Sequence, residues 1–319
     1  MDKILQNFIP INGLNLHVAE IGSKSSPAVV FLHGFPGTWY TWRHQMVAVA
    51  NAGYRAIAPD FRGYGLSDPP PQPENTSFAD FVNDTSSILD SLSISKAFMI
   101  GKDFGSMVDY SFARVYPEKV AGIVTLVLPY MPPGAVKHHL PLSEGFYVRR
   151  WMEPGRAEAD FGRFDAKTVV KNLYIMFSIN ELPIASENQE IMDLVKPLTP
   201  LPSWFTEEDL ATYGALYDKS GFKTALQVPY RSVDENIGSN VSNPLVEAPA
   251  MFIIGDEDFV LKYPGLDEYV RSGEVKKYVP NLEVIHVAHG NHFLNEQFPD
   301  KVNQLILAFL DQNKHRKVV

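Results

Sequence analysis

The sequence predicts an α/β protein in which a mostly parallel sheet carries helices on both faces and is interrupted once by a helical insertion. Three observations predict it. Short apolar runs ending in Gly or Asp recur through roughly the first 130 residues, as expected of strands buried on both faces. Helix-like stretches separate those runs, which is the alternation a parallel sheet requires. From about residue 132 to 245 the buried-strand signature disappears, and it returns only near the C-terminus.

Each element follows from its local pattern. "LNLHVAEIG" alternates apolar and polar residues and reads as a half-exposed strand. "AVVFLHG", "YRAIAPD", "AFMIGKD" and "VAGIVTLVLP" are continuous apolar runs and read as buried strands. Between them, "WRHQMVAVANAG" and "FADFVNDTSSILDSLS" have helical spacing. In the insertion, "TVVKNLYIMFSIN" and "TEEDLATYGALYDKSGFKTALQ" repeat that spacing among Pro and aromatic residues. "AMFIIGD" and "LEVIHVA" restore the strand pattern, and "DKVNQLILAFLDQ" reads as a last helix. The expected organisation is a core of residues 1–131 and 246–319 with a helical cap of residues 132–245.

Composition narrows the partners. A length of 319 residues, 45% of them apolar, supplies a full core. The net charge of −9 disfavours nucleic acid or an anionic membrane surface, since both need a basic face. The only basic cluster is the terminal "KHRKVV". With no cysteine, disulfides, thiol catalysis and thiolate metal sites are impossible, and a reducing compartment is allowed. No run matches a signal-peptide core or a transmembrane span, so a cytoplasmic protein is expected, as a monomer or homodimer.

The chemistry sits where strands end, the place where open parallel sheets collect ligands. "HGFPG" follows "VVFL", "GKDFG" follows "FMI", "GDED" follows "MFII" and "HGNHF" follows "EVIHVA". In chain order these segments offer an oxyanion loop, a nucleophile, an acid and a His base, the order of the α/β-hydrolase arrangement. "GKDFG" has the spacing of a nucleophile elbow, with Asp103 where Ser usually stands. A carboxylate is a poor nucleophile toward esters and amides, because the anhydride it forms is no more stable than the substrate. Toward a strained or activated sp³ carbon it can displace oxygen or halide and leave an ordinary ester. Asp103 therefore points to epoxide opening or halide removal. Within "GDED" the acid is Asp256 or Asp258, and within "HGNHF" the base is His289 or His292.

The stretches "HGFPGTWYTWRHQM", "GYRAIAPDFRGYGLSD", "GKDFG" and "HGNHF" resemble the soluble epoxide hydrolases, especially the plant type, and the resemblance spans essentially the whole chain. It implies an α/β-hydrolase core with an inserted cap, no metal or organic cofactor, and a small apolar epoxide as substrate. It favours Asp258 as the acid and His292 as the base. It implies backbone N–H donors at Phe35 and Phe104 and a cis bond between Phe35 and Pro36. It also implies two cap phenols, Tyr147 in "FYVRRWMEPG" and Tyr230 in "QVPYRS", which would stabilise the epoxide oxygen. His33, Pro36 and Trp39 of the first loop are expected to line the pocket. Two positions depart from the family pattern: Lys102 stands before the nucleophile in place of His, and Phe104 after it in place of Trp. The alternatives are a haloalkane or haloacetate dehalogenase on the same core, and a non-catalytic receptor that reuses the pocket. Phe35 and Phe104 lack the side-chain donors of alkyl-halide sites, and "DFGSM" lacks the Arg of haloacetate sites.

Overall fold

The computed structural model describes residues 3–132, 134–140, 143–232 and 243–314. Parts of the expected cap and the basic tail beyond Lys314 thus lie outside the described residues. Eight strands form one sheet: β1 (Leu5–Ile11), β2 (Leu14–Ile21), β3 (Ala28–Leu32), β4 (Arg55–Pro59), β5 (Ala97–Lys102), β6 (Val120–Leu126), β7 (Ala250–Gly255) and β8 (Leu282–Val287). Their order is β1-β2-β4-β3-β5-β6-β7-β8. The β1–β2 and β2–β4 pairs are antiparallel, and every later pair is parallel. All residues of β3, β4, β5 and β7 are buried, which is why their sequences show no alternation.

Register, rather than sequence proximity, assembles the site. Leu32 at the end of β3 pairs with Gly101 near the end of β5, so the loop after β3 emerges beside Asp103. Gly255 of β7 pairs with Val287 of β8, so the two following loops also leave side by side. The strand order changes direction between β3 and β5, the switch point where such sheets bind ligands.

Helices α1 (Arg43–Asn51), α2 (Phe78–Ser91) and α3 (Phe104–Val115) cover the sheet together with the C-terminal helix Pro299–Asn313. In α2 the Asp80 carboxylate accepts the Ser77 N–H at 2.9 Å and satisfies an end group of the first turn. In α3, Val108 and Phe112 are fully buried on the face that packs against the sheet.

Between β6 and β7 the described residues form helices and turns and no strand. Helix Ala166–Phe177 packs against helix Glu207–Ser220, and the latter ends where Gly221 turns with φ of 65°. A stack of rings fixes this segment to the core: Tyr174 lies 4.0 Å from Phe205 on one side and 4.2 Å from Phe293 on the other. Below the stack, the buried Glu296 carboxylate accepts from Arg43 (2.6 Å), Tyr174 (3.1 Å), Tyr213 (3.0 Å) and Thr41 (3.0 Å). Four donors satisfy a charge that would otherwise be costly to bury, and two of them come from the helical segment. No helix among the described residues is long and apolar enough to cross a membrane.

Candidate active site

The turn from β5 into α3 holds Asp103 at φ 55° and ψ −127°, a backbone conformation rarely adopted by residues other than Gly. The flanking glycines make the turn sterically possible. A Cβ on Gly105 would lie 2.2 Å from the Leu32 carbonyl oxygen, and one on Gly101 would lie 2.5 Å from the Gly105 oxygen. Gly34 is equally constrained, because its Cβ would lie 2.4 Å from Asp103 Oδ1. The spacing in "GKDFG" is therefore what allows α3, β3 and the loop after β3 to meet at one carboxylate.

That carboxylate is held asymmetrically. The Phe35 N–H donates to Asp103 Oδ1 at 3.1 Å, and the Phe104 N–H at the head of α3 also faces the carboxylate. On the other side, His292 Nε2 lies 3.8 Å from Oδ2. The His292 Nδ1–H donates to Asp258 Oδ1 at 3.2 Å, which turns the other ring nitrogen, Nε2, toward Asp103. Asp258 Oδ1 also accepts the Val260 N–H at 3.1 Å, so the acid is anchored by its own turn. Phe259 stacks on the His292 ring at 4.7 Å and fixes its plane. The peptide bond between Phe35 and Pro36 is cis.

The two open choices from the sequence separate in space. Asp258 is 1% exposed and meets His292, whereas Asp256 pairs at the surface with His286 at 3.0 Å. His289 is exposed and bonds Glu257 at 2.9 Å.

Above Asp103 lies a cleft. Asp103, Phe104, Tyr147 and Tyr230 all line it, and Met107, Leu128, Met131, Val148 and Leu266 make its walls apolar. Its described lining contains no Lys or Arg. Tyr147 opens the helix Tyr147–Trp151. Tyr230 sits on a single π-turn, Gln227–Arg231, that is broken at Val228 (φ −103°, ψ 86°) because Pro229 follows. The Tyr230 ring packs edge-on against Phe104 at 5.6 Å, Phe35 at 5.8 Å and Trp151 at 5.1 Å. Burial pushes the Tyr147 and Tyr230 phenols above their ordinary value, so both carry a proton to donate at neutral pH.

Three expectations are corrected. His33, Pro36 and Trp39 are not among the residues lining the cleft. His33 is fully buried behind the loop, where its Nε2 accepts the Phe61 N–H at 3.1 Å and its Nδ1–H donates to the Gly34 carbonyl at 2.9 Å. The Trp39 N–H donates to Asp60 Oδ1 at 2.8 Å, and the other Asp60 oxygen meets His17 at 2.8 Å and the Leu66 N–H at 3.0 Å. These residues brace the loop that presents Phe35. Pro36 is buried beside them. Lys102 also turns away from the cleft: it is buried, with Nζ 4.8 Å above the Phe293 ring. A residue that sequence reasoning missed is Tyr263, which lines the cleft and bonds Tyr147. With 14 tyrosines in the chain, nothing in its sequence surroundings singles it out.

The α/β-hydrolase-fold family profile matches residues 27–299. Epoxide hydrolase 1 of Siraitia grosvenorii is 39% identical over 98% of this chain and 100% of that protein. Among solved structures, an epoxide hydrolase from Vigna radiata superposes with a TM-score of 0.89 at 33% identity, covering 98% of this chain and 99% of that one. A laboratory-evolved variant of potato epoxide hydrolase gives 0.87 at 31% identity, covering 97% and 99%. The chain belongs to the epoxide hydrolases of the α/β-hydrolase fold. Its elbow carries Asp103 at the position where the elbow pattern usually has Ser.

Electrostatics gives this epoxide hydrolase a testable acid limb. Burial raises the Asp103 carboxyl above its ordinary value, opposed by His292, Lys102 and the two backbone N–H groups. If Asp103 is the nucleophile it must be ionised to react, so a raised value moves loss of reactivity to higher pH. Single-turnover alkylation should therefore fall on acidification at a pH above the ordinary carboxylate value of ~3.9. A limb at or below that value would show that burial does not govern Asp103.

Proposed function

We propose that this protein converts a small apolar epoxide to a vicinal diol through a covalent ester on Asp103. The carrying observation is a buried carboxylate with backbone N–H groups and a His–Asp pair on one side, and two protonated phenols in the same cleft. Because the Phe35 N–H holds Oδ1, Oδ2 is the oxygen available to attack carbon. Tyr147 and Tyr230 donate to the epoxide oxygen as it gains alkoxide character. In the ester, Oδ1 is the carbonyl oxygen, and the Phe35 and Phe104 N–H groups support its negative charge during hydrolysis. The 3.8 Å separation of His292 from Asp103 exceeds a hydrogen bond and suits a base that works on water. Asp258 holds that ring and stabilises the imidazolium formed when His292 takes the water proton. The apolar, uncharged walls favour a neutral substrate. Residues 132–245 would serve as the cap that carries both phenols, and a cytoplasmic location suits the cysteine-free chain.

Oxygen labelling tests the covalent step. In one turnover in heavy-oxygen water, the diol should carry an unlabelled oxygen from the enzyme, and the label should enter the Asp103 carboxylate. Label in the diol from that first turnover would mean that water attacks the epoxide directly, and the ester mechanism would be wrong.

A further inference from the structure

The Tyr147 and Tyr263 hydroxyl oxygens lie 2.6 Å apart, both in the cleft above Asp103. Two phenols joined by one hydrogen bond hold two protons. One proton occupies the bond, and the other has no acceptor among the described residues. If Tyr147 donates, its own proton is turned from the substrate. If Tyr263 donates, the Tyr147 O–H is released toward the epoxide oxygen and is polarised by the bond it accepts. The Tyr263 backbone is well fixed. It ends the short turn Phe259–Lys262 that begins at Asp258, its N–H donates to the Val260 carbonyl at 3.0 Å, and Pro264 follows it. Burial keeps both phenols protonated, and the nearby Asp103 and Asp258 carboxylates add to that effect.

We propose that Tyr263 is a positioning residue for epoxide opening: its hydroxyl donates to Tyr147, frees the Tyr147 proton for the substrate oxygen and steadies the charge left on Tyr147. This rests on the reading of Tyr147 as a donor to the epoxide. In the step, Asp103 Oδ2 forms a bond to carbon, the ring carbon–oxygen bond breaks, and the Tyr147 proton passes to the freed oxygen. The phenolate keeps the hydrogen bond from Tyr263. Ester hydrolysis regenerates the Asp103 carboxylate and releases one proton, which restores the Tyr147 phenol. The acid Asp258 and the proton-orienting Tyr263 thus belong to one turn, so the loop after β7 serves both halves of the cycle.

The test is a double-mutant cycle read by stopped-flow alkylation of a styrene oxide. Tyr263→Phe keeps the ring that packs near Phe146 and Phe259 and removes only the hydroxyl. It should slow alkylation about tenfold, below the ~10²–10³ of a lost direct donor, while ester hydrolysis changes less than about twofold. In a Tyr147→Phe background the same substitution should add no slowing, whereas in Tyr230→Phe it should act in full. The deficit should shrink for a nitro-substituted styrene oxide, whose leaving oxygen is less basic. A purely packing role would slow every background and substrate alike, and that result overturns the proposal. So does a Tyr263→Phe enzyme that alkylates at the parent rate while Tyr147→Phe is slow. If Tyr147→Phe itself opens epoxides at the parent rate, the functional reading fails first and this inference falls with it.

Discussion

An enzyme with Gln in place of His292 should alkylate normally and then stall. His292 faces Asp103 across 3.8 Å and touches Asp258 through its other nitrogen, and in the proposed mechanism it takes a proton from water during ester hydrolysis. Attack of Asp103 on the epoxide needs no base, because the nucleophile is already a carboxylate. Gln cannot accept that proton, and loss of a general base costs about 10²–10⁴ in rate. Steady-state turnover of His292→Gln should fall by that factor while the first burst of ring opening persists. Intact-protein mass spectrometry should then find one substrate mass added per chain, on the peptide containing Asp103. The ring is buried against Phe259, so circular dichroism must first show that the variant is folded. A folded variant that turns over at the parent rate would exclude His292 as the base. His289, exposed and paired with Glu257, would not replace it without rearrangement of the turn.

What was legible in the sequence follows from burial. β3, β5 and β7 are covered on both faces, so continuous apolar runs marked them. β1 escaped notice because Leu5–Ile11 is an edge strand with five exposed residues and a Pro, held by its pairing with β2. The elbow was legible because the steric demands on Gly101 and Gly105 leave few alternatives to glycine. The choice between Asp256 and Asp258 was not a matter of local pattern. Both follow the same strand, and the turn capped by the Asp258 carboxylate points one inward and the other to solvent. His33 and Trp39 misled for a related reason. They neighbour Phe35 in sequence, but the His33 ring is tied to the Phe61 N–H and the Gly34 carbonyl, and the Trp39 backbone N–H to Asp60, so both serve the loop behind Phe35 and do not line the cleft. Tyr263 was invisible because its partner lies 116 residues away, in the helical segment.

The strongest discrimination between epoxide opening and halide removal comes from the cap phenols. A departing halide is a stable anion and needs no proton. An opening epoxide develops alkoxide character and gains from a hydrogen bond in a dry site, where loss of one donor costs roughly 3–4 kcal/mol of barrier. Tyr147 and Tyr230 are both buried and protonated, their rings lie 6.0 Å apart, and both line the cleft with Asp103. Either phenol partly covers for the other, so Tyr147→Phe or Tyr230→Phe alone should slow alkylation about ten- to a hundredfold. The double variant should be almost inactive on epoxides. Its packing should survive, because the Phe rings keep the ring contacts to Trp151 and Phe177 around Tyr147 and to Phe35 and Phe104 around Tyr230. The measurement is single-turnover alkylation, with thermal melting to show that the fold is intact. A folded double variant that opens epoxides near the parent rate would make the tyrosines bystanders, and Asp103, whose chemistry serves either leaving group, would not by itself separate an epoxide from a halide.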